Sequence, residues 1–103
     1  MQVKVHMLAF GEPNEIRWVE IPQEYHGAMG DEEVLSAVFH YGQNEFQEQL
    51  HPSVSVGDVI ELNDGDLFIV KPIGFSLMSK EEFNSYLEVP QPERMLRVYG
   101  IIV

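Results

Sequence analysis

The chain has 103 residues, 45% of them hydrophobic, no cysteine and a formal net charge of −11. That length and apolar content suit one packed domain and exclude a disordered acidic tail, a disulfide framework, thiolate metal sites and a cysteine nucleophile. Thirteen acidic residues lie between Lys4 and Lys71 against one base, Arg17, a negative field that repels nucleic acid and anionic lipid.

The opening MQVKVHMLAF has one Lys, no long apolar run and no small-residue cleavage site, so no signal peptide is expected. No window nears the roughly eighteen consecutive apolar residues of a membrane span. A soluble, cytoplasmic protein is expected, in the host cytoplasm if the gene belongs to a phage. Residues 2–10 alternate, with Val3, Val5, Met7 and Ala9 on one side and Gln2, Lys4 and His6 on the other, which predicts a strand. After the turn signal GEPN at 11–14, the β-branched and aromatic run 16–21 predicts the returning arm of a hairpin, ended by Pro22. Trp18 on that arm could be an exposed interface anchor, but an amphipathic strand usually points such a residue into its own core, and the core is the favoured reading.

Residues 23–30 read as a loop, with Tyr25 a surface residue among Glu20, Glu24, Asp31 and Glu32. Asp31 then offers an N-cap and Glu32 and Glu33 complement the helix dipole. Val34, Leu35, Val38, Phe39 and Tyr41 supply the apolar face of a helix that stops at Gly42. Residues 43–53 read as an irregular connection pinned by Phe46 and Leu50. The runs 54–62 and 66–73 flank Asn63-Asp64-Gly65 and predict a hairpin, with Pro72 at an edge or bulge. Ser79 with Glu82 forms a capping box and Met78 with Phe83 a hydrophobic staple, so a helix is predicted over 80–88, ended by Pro90 and Pro92. The closing MLRVYGIIV is apolar on both faces and predicts an interior strand. The sum is a single α+β domain over 1–103, with a mainly antiparallel twisted sheet of about five strands and two helices.

Chemistry is sparse. His6, His26, His40 and His51 show no close ligand spacing, and are expected to be ordinary surface or half-buried side chains. Asn63, Asp64 and Asp66 lack the order of a calcium loop and read as a polar turn. No nucleophile elbow or glycine-rich phosphate loop is present. Lys71, Lys80, Arg94 and Arg97 are balanced by Glu81, Glu82, Glu88 and Glu93, too little cationic charge to bind duplex DNA. Neither catalysis, a metal nor a cofactor is expected.

VFHYGQNEFQ at 38–47 and HPSVSVGDVIELNDGDLFIVKPIGF at 51–75 resemble the core of small phage and mobile-element proteins akin to the YodL-like domain group, where an S-V-S-V-G-D-V-I segment precedes a short hairpin ending in G-F. The resemblance covers roughly the middle third of the chain, with a general match of the first hairpin. It implies a mobile-element origin and no mechanism, since that group has no established activity.

Two functions follow as expectations. The first is a non-enzymatic acidic protein that binds and modulates a host protein, with a basic nucleic-acid-binding surface as one candidate target. Glu20, Glu24, Tyr25, Glu32 and Glu33 would make the contact, steered by charge. The second is a small-molecule or nucleotide-binding accessory domain with its site near Asp58 and the Gln43-Asn44 pair. Gln43, Asn44, Ser53, Ser55 and Asp58 are either a recognition cluster at the mouth of the 54–73 hairpin or turn formers bonded to loop backbone. A homodimer through the apolar C-terminal strand is compatible with both.

Overall fold

A computed structural model describes residues 2–9, 15–21, 30–43 and 54–98. Five strands form one antiparallel sheet: β1 (Gln2–His6), β2 (Ile16–Glu20), β3 (Val59–Glu61), β4 (Leu67–Val70) and β5 (Phe75–Met78), in the order β2-β1-β3-β4-β5. Three helices accompany them, α1 (Asp31–Tyr41), α2 (Lys80–Leu87) and α3 (Gln91–Val98). The α+β architecture with an antiparallel sheet is the one the sequence predicts. No helix among the described residues is long and apolar enough to cross a membrane.

Because side chains alternate along a strand, the register sorts the apolar residues into two layers. Val3 faces Val19 across β1 and β2, and Val5 faces Ile60 across β1 and β3. These four pack with Leu35, Ala37 and Val38 of α1. On the opposite face Val59, Leu67 and Ile69 pack with Phe83 and Tyr86 of α2, and Val98 of α3 joins them. The sheet is thus sandwiched between α1 and the α2–α3 pair.

Several local features carry this arrangement. Arg17 runs inward and donates to the carbonyl of Gly42 at 2.9 Å, a cation at the C-terminal end of α1, where the helix dipole favours it. The strand predicted from residue 54 begins only at Val59, since Gly57 sits at φ 100° in a turn closed by Asp58 N–H donating to Ser55 O at 3.0 Å. The β3–β4 hairpin closes as predicted, with Gly65 at φ 93° and Asp64 Oδ1 accepting the Asp66 amide at 3.0 Å. The capping box of α2 also forms: Ser79 Oγ accepts the Glu82 amide at 3.0 Å and Glu82 Oε1 accepts the Ser79 amide at 3.0 Å.

The structure corrects the sequence reading in further places. The cap of α1 is Gly30, whose amide donates to Glu33 Oε2 at 2.6 Å, and Asp31 is the first helical residue. The strand predicted over 66–73 ends at Val70, and Pro72 lies in the turn before β5, a strand that the sequence reading does not contain. Pro90 and Pro92 do not merely stop α2; they open α3, with Pro90 O accepting the Glu93 amide at 2.9 Å. Proline in a first turn costs nothing, because the N–H groups there have no helical partner. Residues 95–98 are therefore helical rather than strand, which takes those residues out of any strand-mediated homodimer; residues 99–103 lie outside the described part. Trp18, finally, is 56% exposed and not in the core.

Arg94 explains why α3 docks here. Its guanidinium donates to Leu8 O at 2.8 Å, Val89 O at 2.9 Å and Leu87 O at 3.0 Å. It also lies over the ring of Tyr86, 5.6 Å from the centroid. One planar fork thereby satisfies carbonyls at the end of α2 and just after β1.

Candidate functional site

Among the residues expected to form a recognition cluster, Gln43, Ser55 and Asp58 come together, but around backbone. Gln43 Nε2 donates to Phe39 O at 2.7 Å and Val54 O at 3.1 Å. Asp58 is 1% exposed and accepts the amides of Ala9 at 2.8 Å and Ser55 at 2.9 Å, one on each oxygen. Burial pushes its carboxyl up to about 6, against the amide bonds from Ala9, Ser55 and Leu8 and the charge of Arg17, which all lower it. The same burial depresses Arg17, while Asp58 and Glu15 raise it. Both carboxylate oxygens of Asp58 and the amide of Gln43 are engaged in holding loops, and neither residue lines the three clefts described on the surface. Asn44, Ser53, Glu24 and Tyr25 lie outside the described residues, as does the side chain of Glu32. Glu20 is exposed on β2 and Glu33 is exposed while capping α1.

A different surface emerges from the register. Trp18, Lys4, Glu61, Leu67 and Met78 form one row across all five strands, each opposite the next. Ile16, His6, Val59, Ile69 and Ser76 form the adjacent row. Helix α2 covers the β3–β4–β5 end of this face, packing Phe83 against Val59, Leu67 and Ile69. Toward β1 and β2 the cover ends at His6, whose ring meets Phe83 edge-on with centroids 4.9 Å apart. Beyond that boundary Trp18 and Ile16, 45% exposed, stand on the same face as Glu20.

His6 Nε2 lies 2.9 Å from Glu61 Oε1, and Lys4 Nζ lies 4.0 Å from the other oxygen of Glu61. This small polar network separates the Trp18 patch from a cleft of about 710 Å³ lined by His6, Glu61, Asp66, Leu67, Met78 and Phe83, among others. The sequence does not single out Ile16, His6 and Glu61 as site residues, and it favours the core over an exposed anchor for Trp18. Strand pairing was the signal that could have found them: Trp18 is two residues from Ile16 and one from the buried Val19, so it must face away from the layer that α1 covers.

No family profile, curated protein or solved structure matches this chain.

Proposed function

We propose that the protein is a non-enzymatic binding protein of phage or mobile-element type that docks on a basic surface of a host protein and modulates it. The observation that carries this reading is Trp18, an exposed tryptophan beside exposed Ile16 on a sheet face of a protein with net charge −11. Large aromatic side chains are the usual energetic anchors of protein interfaces, because they bury much area at low entropic cost. The surrounding carboxylates supply steering and select a cationic partner. Arg17, the one base inside the acidic tract, is turned inward on Gly42 O, and Lys4, which stands opposite Trp18, lies 4.0 Å from Glu61 Oε2. A second copy of the chain is disfavoured as occupant of the same patch, since it would bring like charges together. A host protein that handles nucleic acid presents the complementary basic groove, and the YodL-like resemblance supports a mobile-element setting for such a partner.

The test is capture from host lysate on the immobilised protein and, in parallel, on the Trp18→Ala variant, each eluted along a salt gradient with duplex DNA as competitor. A stoichiometric partner released by salt, displaced by DNA and lost from the variant supports the proposal. Retention of the same partners by Trp18→Ala with the same salt profile overturns it.

A further inference from the structure

The cleft beside the Trp18 patch has an apolar floor and a rim of carboxylates. Its floor is Leu67, Met78 and Phe83, and its rim carries Glu61, Asp66 and Glu82 against Lys80. A volume of about 710 Å³ falls within the range of ligand pockets, ample for one long side chain. Phosphate or another anion is a poor occupant. The rim stays net negative with Lys4 beside Glu61 counted, and the amide donors of Ser79 and Glu82 at the start of α2 are consumed by the capping box. A lysine or arginine side chain matches both parts, because its aliphatic stem lies on apolar surface while its charged head reaches carboxylates.

We propose that this cleft receives a lysine or arginine side chain of the partner that Trp18 anchors. The inference rests on the docking reading and specifies its chemistry. Trp18 and Glu61 both stand opposite Lys4, one on each side. With strands about 4.8 Å apart, their backbones are about 10 Å from one another. An extended partner segment covers that distance in about three residues, so one segment brings an apolar residue to Trp18 and a basic residue to the cleft. His6, bonded to one oxygen of Glu61 at 2.9 Å and edge-on to Phe83, holds the carboxylate at the rim, with Lys4 Nζ 4.0 Å from its other oxygen.

The probe is n-butylguanidinium, titrated into the ¹⁵N-labelled full chain, with neutral n-butylurea as control. Saturable shifts of the Glu61, Asp66, Leu67, Met78 and Phe83 amides with butylguanidinium are expected, with butylurea weaker by about tenfold. Glu61→Gln and Asp66→Asn should each weaken the cation by about threefold to fivefold, the worth of a solvent-screened charge contact. Equal response to butylurea, no saturable response, or indifference to both substitutions overturns the proposal. Trp18→Ala should leave this titration unchanged, so failure of the cleft and failure of the Trp18 patch as an anchor are read separately.

Discussion

The carboxylate of Asp58 accepts the backbone N–H of Ala9 at 2.8 Å, 49 positions away in the chain. With its second oxygen on the Ser55 amide at 2.9 Å, this side chain ties the turn after β1 to the loop that leads into β3. It does so at an electrostatic cost, since burial raises its pKa from 3.8 to about 6.

That shift fixes a pH dependence. Between those two values the folded chain holds the Asp58 proton more firmly than the unfolded chain, so stability falls as pH rises through the window. The full penalty above it is about 3 kcal/mol. Urea unfolding at about pH 4.5 should give a contribution from Asp58 about 2 kcal/mol more favourable than at about pH 7.5. Added salt should remove only the part due to surface repulsion, leaving the buried contribution. Asp58→Asn should flatten this profile while lowering the acid-side maximum, because its NH₂ group would face one of two amide donors. A profile unchanged by Asp58→Asn would refute the assignment.

Arg94→Lys should lower stability by about 1–3 kcal/mol, since an ammonium cannot span carbonyls of Leu8, Leu87 and Val89 that one guanidinium serves. Hydrogen exchange should show the loss first in α3. Equal protection of α3 in both proteins would mean that packing of Val98, rather than the fork, holds it.

Gly42 has φ −80° and ψ 0°, a conformation alanine adopts freely, yet an added Cβ would collide with Val54 and come within 2.8 Å of Val38 O. Gly42→Ala is therefore expected to cost about 1–3 kcal/mol through overpacking. Combining it with Val54→Ala should cost less than the sum of the two single changes. Strict additivity, measured by urea midpoints, would show that contact with Val54 is not the cause.

Trp18→Ala should change stability by less than about 1 kcal/mol, the scale of an exposed cross-strand contact, whereas truncating a core tryptophan costs about 3–5 kcal/mol. Thermal unfolding of the variant distinguishes the two. A large loss would place Trp18 in the energetic core and remove it as an interface anchor.

Local signals in the sequence determined the elements whose cause is itself local. Ser79 and Glu82 specify their capping box within four residues, Asp64-Gly65 its hairpin turn, and the alternation around Val3 and Val5 a strand with one buried face. Tertiary structure decided the rest, because the causes lie far apart in the chain. The apolar run at 95–98 satisfies strand and helix patterns alike. The helix prevails because Pro90 and Pro92 can start one and Arg94 reaches carbonyls at Leu8, Leu87 and Val89. Asp58 and Gln43 could be recognition residues or turn formers on sequence alone, and folding placed backbone amides and carbonyls around them. Trp18 looked like a core residue until the pairing Lys4–Trp18 put it on the face that α2 leaves open. Composition fixed the sign of the field, but only strand register, which joins residues dozens of positions apart, decided which side chains stand within it.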